Sequence, residues 1–227
     1  GSRNETKELI HNINKEFEMN IIHSWQQDNG FRAARSRNNA IFKSSGDYII
    51  LIDGDVILHP NFVKDHIDNA EQGYLIQGSR ALLSMKETKK ALSRKIVNFS
   101  FFYPGLKNRK NAIYSKFLSS IFSTKKNHFY GIKSCNMAFY KKDCINVNGF
   151  NNDFEGWGRE DSEFVVRLIN SGVNRKNVRF NVIQFHLWHN ENPRMLLSQN
   201  DAILEHAIIN HSQWCENGIN SIGKNES

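Results

Sequence analysis

Apolar residues recur at Leu9, Ile10, Ile13 and Phe17, a spacing that predicts an amphipathic helix over residues 5–17. MNIIHSW (19–25) predicts a short strand. GFRAARSRNNAIFKSSG (30–46) predicts a basic helix with glycine at both ends. DYIILID (47–53) is almost continuously apolar, the pattern of a strand buried on both faces in a parallel sheet covered by helices. GYLIQGS (73–79) predicts another strand. This alternation of helix and strand points to an α/β fold with a mainly parallel central sheet.

The pattern changes over residues 84–130. Eleven Lys/Arg face one Glu there, among aromatics that include Phe99, Phe101, Phe102 and Tyr103, and the segment predicts helices with flexible joints. CNMAFYKKD (135–143) reads as a strand and turn, and residues 161–171 as a helix ended by Gly172. VRFNVIQFHLWH (178–189) predicts a late strand carrying its histidines at the end. Asn192 and Pro193 suit the N-cap and first turn of a last helix. Residues 216–227 are polar and predict a loose tail.

With 227 residues, 39% of them hydrophobic, the chain can bury the core of one domain. Thirty Lys/Arg against 23 Asp/Glu leave a net charge of +7, which calls for an anionic partner: nucleic acid, a membrane surface or a phosphorylated substrate. No nucleic-acid-binding motif accompanies the charge, so nucleic acid is left out of the expected partners. Cys135, Cys144 and Cys215 form no CxxC pair, which argues against a disulfide framework or structural zinc and for a reducing, cytoplasmic setting. No apolar run reaches the ~18–20 residues of a membrane span.

Four groups of residues could carry chemistry. Asp53-Gly54-Asp55 follows a strand. Residues i and i+2 of an extended segment point the same way, so both carboxylates can face one hard cation, and Gly54 removes a crowding side chain. The tripeptide alone also fits a tight Asp-Gly turn. His186 and His189 of HLWH could add an imidazole ligand, a donor that suits Mn²⁺ better than Mg²⁺; they also fit two half-buried histidines at a strand end. Arg32, Arg35 and Arg37 lie near a helix start, where arginine can grip phosphate, or they form a solvated basic face. Finally, NGFNNDFEGWGREDSEFVVRL (148–168) sets Trp157 between two glycines and beside Glu155, Glu160, Asp161 and Glu163. Acids offset the helix dipole, which explains one or two of them. A tryptophan face beside carboxylates also makes a sugar platform, with one carboxylate able to act as general base.

Taken in order, GFRAARSRN, GDYIILIDGDV, CNMAF, NGFNNDFEGWGREDSEFVVRL and FHLWH resemble the GT-A glycosyltransferases of family-2 type with a galactosyltransferase-like C-terminal motif. The resemblance implies inverting sugar transfer from a nucleotide sugar, in particular a UDP-sugar, with Mn²⁺ or Mg²⁺. It implies metal ligation by Asp53, Asp55 and His189 or His186, and donor binding by Arg32, Asp53 and Gly54. It implies acceptor binding by Trp157 and Glu160, and Asp161 as catalytic base.

The implied layout is one domain over 1–215, with a donor and metal half (1–83), a basic helical insertion (84–130) and an acceptor half (131–215), followed by the 216–227 tail. The family's opening strands, which supply uridine contacts, have no counterpart here. The expectation is a truncated form with an incomplete donor pocket, and Gly1-Ser2 reads equally as the end of a DDGS motif or as a cloning remnant. Expected partners are the nucleotide sugar, a saccharide or lipid-linked acceptor of surface polysaccharide synthesis, and an anionic membrane touched peripherally at its inner face through 84–130. A non-catalytic sugar-nucleotide or glycan-binding fragment is the alternative.

Overall fold

The computed structural model describes residues 2–190 and 194–222. Its helices are α1 (Asn4–Phe17), α2 (Ala33–Lys43), α3 (Phe62–Asn69), α4 (Met85–Arg94), α5 (Lys116–Phe122), α6 (Lys141–Asn146), α7 (Glu160–Asn170) and α8 (Leu197–Ile209). Its strands are β1 (Tyr48–Ile52), β2 (Val56–Leu58), β3 (Tyr74–Gln77), β4 (Arg80–Leu83), β5 (Leu106–Lys107), β6 (Thr124–Lys125), β7 (Asn136–Tyr140), β8 (Asn174–Asn177) and β9 (Gln184–His186). The chain forms two compact units. One comprises residues 1–47, 144–171 and 193–227 and is helical; the other comprises 48–143 and 172–192 and holds the strands.

The sheet unit contains a five-stranded sheet, β1-β7-β3-β8-β6, and a four-stranded sheet, β2-β9-β4-β5. The α/β class stands, but the expected mainly parallel pairing does not. Among the described residues only β3/β8 and β4/β9 run parallel; β7 lies antiparallel between β1 and β3, and the remaining pairs are antiparallel too. Nor is β1 buried on both faces: it is an edge strand, and of its residues only Ile49 is buried. The strand with that burial is β7, where Asn136–Phe139 are all buried. An apolar run reports how much a strand prefers cover, not where it sits in a sheet or which way its neighbour runs.

The sheet unit has two apolar clusters. Ile76, Ala138, Val178 and Val182 pack on the larger sheet, and Ala81, Leu83, Phe185 and Ile183 of the smaller pack with Ala91, Phe99, Leu106 and Ala112. Between the sheets' strands Asn136 acts as a polar hub. Its Nδ2 donates to the carbonyls of Ser79 and Val182, both at 2.8 Å, and its Oδ1 lies 3.0 Å from His66 Nε2. Gly78 is required beside it, because a Cβ there would lie 2.4 Å from the Asn136 side chain.

In the helical unit α7 is the core element, with Phe164, Val165, Val166 and Leu168 fully buried. It packs against α8 and α2, and Phe164 stacks on Phe150 at 4.2 Å. Asn38 of α2 brackets Phe150, donating to its carbonyl (2.7 Å) and accepting from its N–H (2.8 Å). Asn148, in left-handed backbone, ties the C-terminal segment down: its Nδ2 donates to Cys215 O at 2.6 Å and its Oδ1 accepts from Asn220 N at 2.9 Å.

Three further expectations change. Residues 19–25 form no strand, because Asn14 of α1 takes both the N–H and the C=O of Ile21 (2.8 and 2.9 Å) in place of a ladder. The late strand shrinks to Gln184–His186, interrupted by left-handed backbone at Phe180 and Val182, which no strand tolerates. Residues 216–222 are anchored rather than loose, with Ile219 buried. Asn192, Pro193 and residues 223–227 lie outside the described residues, and α8 begins at Leu197.

Candidate active site

In the sheet unit the loop after β1 delivers Asp55 to the start of β2. The antiparallel β2/β9 register pairs Val56 with His186, and Leu187 N donates to Asp55 O at 2.9 Å, so β9 carries its histidines to Asp55. His186 Nε2 lies 3.5 Å from Asp55 Oδ1, and His189 Nε2 lies 3.1 Å from Asp55 Oδ2. One donor atom from each of the three residues falls within 4.8 Å of the others. The backbone beyond is fixed by Thr88 Oγ1, which accepts from Trp188 N at 2.8 Å.

The electrostatics of this group favour a cation. Asp55 Oδ1 is buried with no hydrogen-bond partner. Burial pushes the His186 imidazole below its ordinary range; Arg80 and His189 push the same way, and Asp55 opposes them. His189 Nδ1 lies 2.7 Å from the carbonyl of Asn190, which can only accept, so Nδ1 carries a proton and Nε2 is the ring nitrogen that faces Asp55. A divalent ion could take one ligand atom from each of the three residues, and two imidazoles with one carboxylate suit Mn²⁺ better than Mg²⁺.

Asp53 is half-buried and lies outside that trio. Its charge reaches Cys135, whose thiol is pushed up chiefly by burial. Space above Gly54 is open, since a Cβ there would meet nothing within 4 Å; protein packing therefore does not demand this glycine.

In the helical unit the chain enters α7 through left-handed backbone at Gly156, Gly158 and Arg159 (φ 70°, 109° and 77°). Glycine suits the first two, and at Gly158 a Cβ would also press to 3.1 Å from Leu197 Cδ1. This turn lifts Trp157 to 40% exposure. The Arg194 guanidinium lies 4.7 Å over the indole, so a cation covers part of the expected sugar platform.

Glu160 is only 12% exposed at its side chain and is held by Arg37 Nη1 at 2.9 Å. Arg32, at the N-cap position of α2, pairs with Glu155 at 2.7 Å, which accounts for the acid that had no role in the sequence. Asp161 is half-buried in the first turn of α7 and accepts from Ser162 Oγ at 3.3 Å. Glu163 is not dipole compensation at a surface. It makes a bidentate, fully buried pair with Arg167 at 2.7 Å, and Arg167 also donates to Val147 O. The i, i+4 spacing of Glu163 and Arg167 carried that signal in the sequence. Nothing in the sequence pointed to Arg37 as the partner of Glu160, 123 residues away.

The glycosyl transferase family 2 profile matches residues 1–143, and that of the N-terminal domain of galactosyltransferase matches residues 112–190. A crystal structure of GalNAc-T7 with UDP, GalNAc and Mn²⁺ is similar over 90% of this chain, with a TM-score of 0.60 and 9% identity. The chain spans 40% of that protein's length, and at this identity the likeness is one of fold. No curated protein sequence matches the chain. The matched profile covers well over half of the residues, and the chain therefore belongs to glycosyltransferase family 2.

Proposed function

We propose that this chain catalyses inverting transfer of a sugar from a UDP-sugar to a saccharide or lipid-linked acceptor, in the synthesis of a surface polysaccharide. The observation that carries this reading is the Asp55, His186 and His189 trio with its buried, unpartnered carboxylate oxygen. These three residues would hold the divalent ion, with Asp53 and Gly54 beside the donor. A bound Mn²⁺ or Mg²⁺ supplies neutralisation of the departing diphosphate. The UDP and Mn²⁺ held by the GalNAc-T7 structure support this donor class.

Asp161 is the general base. Its carboxylate accepts the proton of the acceptor hydroxyl as that oxygen attacks the anomeric carbon, so no covalent intermediate on the protein is needed. Glu160, aimed by Arg37, accepts a hydrogen bond from an acceptor hydroxyl, and Trp157 packs against the sugar's CH face. Arg32, its charge offset by Glu155, offers guanidinium N–H groups to the donor. Residues 84–130 bring the enzyme to an anionic membrane surface from the cytoplasmic side, where a lipid-linked acceptor lies. Among the described residues no helix is long and apolar enough to cross a membrane.

The test is a panel of nucleotide sugars with Mn²⁺, read by mass spectrometry on the full-length protein. One donor class should be turned over, and Asp55→Ala and Asp161→Asn should each abolish turnover. Full turnover by both variants would overturn the assignment. A panel with no turnover at all, alongside retained UDP-sugar binding, would point to a glycan- or nucleotide-binding role.

A further inference from the structure

We propose that α5 and the strand edge beside it form a seat for a phospholipid headgroup. The lipid phosphate binds among Lys116, Lys125 and Lys176, while Phe117 and Ile121 enter the acyl boundary. This rests on the membrane contact proposed above and assigns it to particular residues.

A cavity of about 440 Å³ lies in the sheet unit, lined by these three lysines and by Ser119, Ser120 and Ser123. That volume is in the range of small-ligand sites, roughly 300–1,000 Å³. It is separate from the metal trio in topology: β6 and β8 form one edge of the five-stranded sheet, and β1, which leads to Asp53 and Asp55, forms the other.

The cavity is short of negative charge. Asp68 is shared by Lys64 (3.0 Å) and Lys116 (3.3 Å), and Glu71 by Lys125 (2.7 Å) and Lys176 (3.9 Å). Three of these lysines and one carboxylate, Asp68, line the cavity itself, while Lys64 and Glu71 pair with them from outside the lining, and the excess of positive charge leaves room for an anion of one or two charges. Lys176 is mostly buried, and burial pushes its ammonium below the ordinary range, with Lys125 adding to the push and Glu71 opposing it. A bound phosphate would relieve both. Ser120 Oγ donates to the Phe117 carbonyl at 2.8 Å, and Ser119 and Ser123 share one hydroxyl bond at 3.2 Å, so one hydroxyl of that pair keeps a proton to give a phosphate oxygen.

The helix itself separates two faces. Lys116, Ser119, Ser120 and Ser123 recur at i, i+3, i+4 and i+7, one stripe that lines the cavity. Phe117 and Ile121, one turn apart, form the adjacent stripe and are 72% and 56% exposed. A soluble phosphate would fill the cavity and leave those two side chains in water. A phospholipid occupies the basic cavity and covers the apolar stripe together, and this complementarity selects a membrane over a free anion.

The test is co-sedimentation of the full-length protein with vesicles of phosphatidylcholine, alone or mixed with phosphatidylglycerol, at low and high salt. Binding should require the anionic lipid and weaken with salt. The pair Lys116→Glu/Lys125→Glu should lower the partition constant by about 30-fold or more, given roughly 1 kcal/mol per basic residue at an anionic surface. Phe117→Ser/Ile121→Ser should also lower it. Lys86→Glu/Lys89→Glu, on the exposed face of α4, should change it less, and transfer to a soluble acceptor should persist in all three. Wild-type partition in both α5 pairs, with loss in the α4 pair, would overturn the α5 seat and leave the membrane contact standing. No anionic-vesicle binding by the wild type would overturn both, even if inorganic phosphate shifts the NMR signals of these lysines. Membrane results of either kind leave the transferase reading to its own assay.

Discussion

The metal trio of the sheet unit and the acidic turn of the helical unit treat their carboxylates in opposite ways. Asp55 faces two imidazoles and keeps one buried oxygen with no hydrogen-bond partner. In the helical unit Glu155, Glu160, Glu163 and Asp201 each hold an arginine: Arg32, Arg37, Arg167 and Arg159. A site built to receive a cation leaves negative charge unanswered by the protein. On the proposed acceptor side the acids other than Asp161 are answered internally by arginine, which holds their side chains in place. The difference separates the acid left open for the proposed metal from the acids held as struts, and shows why acidity alone could not sort them.

The largest effect expected is on rate. Asp161→Asn should lower kcat by about 10³-fold, within the usual span of general-base removal, and leave Mn²⁺ affinity unaltered. Asp55→Ala should do the reverse at the level of binding, weakening Mn²⁺ by ~100-fold or more in calorimetry or EPR titration. If both variants lose metal, or neither does, the division between the two regions fails.

Next is stability. Glu163→Ala strands a buried guanidinium and should cost about 3–5 kcal/mol in chemical denaturation, whereas Glu163→Leu with Arg167→Met should cost far less. A small loss in the single variant would show that the helical unit does not depend on this strut.

The sheet unit has its own polar weak point. Burial holds His66 at about 4, below its ordinary 6.5, with the Asn136 bond opposing. The unfolded chain then takes up a proton below pH 6.5 that the folded one refuses. Stability should be full above pH 6.5 and fall as pH drops towards 4, by a total on the order of 3 kcal/mol. Denaturant titrations across that window should show the slope, and His66→Gln should flatten it.

The smallest effect belongs to Trp157. Trp157→Ala should raise the acceptor KM by about 5-fold with kcat nearly kept, as removal of one stacking contact of ~1 kcal/mol implies. A fall in kcat alone would instead place the indole at the reacting centre.

Much of this was legible before any coordinates. The motifs carried the family, α1 lies where periodicity put it, α2 and α7 lie within a residue or a few of the segments their glycines bounded, and Asp55 with both histidines was named from DGD and HLWH. The polar hubs were not legible. Asn136 and Asn148 read as parts of functional motifs, yet their amides tie loops together across 46 and 67 residues of sequence. The strand over 19–25 failed because a side-chain amide outcompeted a ladder at Ile21.

Local chemistry, then, was the sequence's own to determine: which segments can be helix or strand, which residues can bind metal, and which carboxylate types stand near α7. Those properties depend on spacings of a few residues, where backbone geometry is nearly constant. Tertiary structure decided strand direction, the edge position of β1, both histidines converging on Asp55, and the arginine each acid received. These depend on contacts between residues far apart in the chain, and burial and charge pairing select them only once the fold has closed.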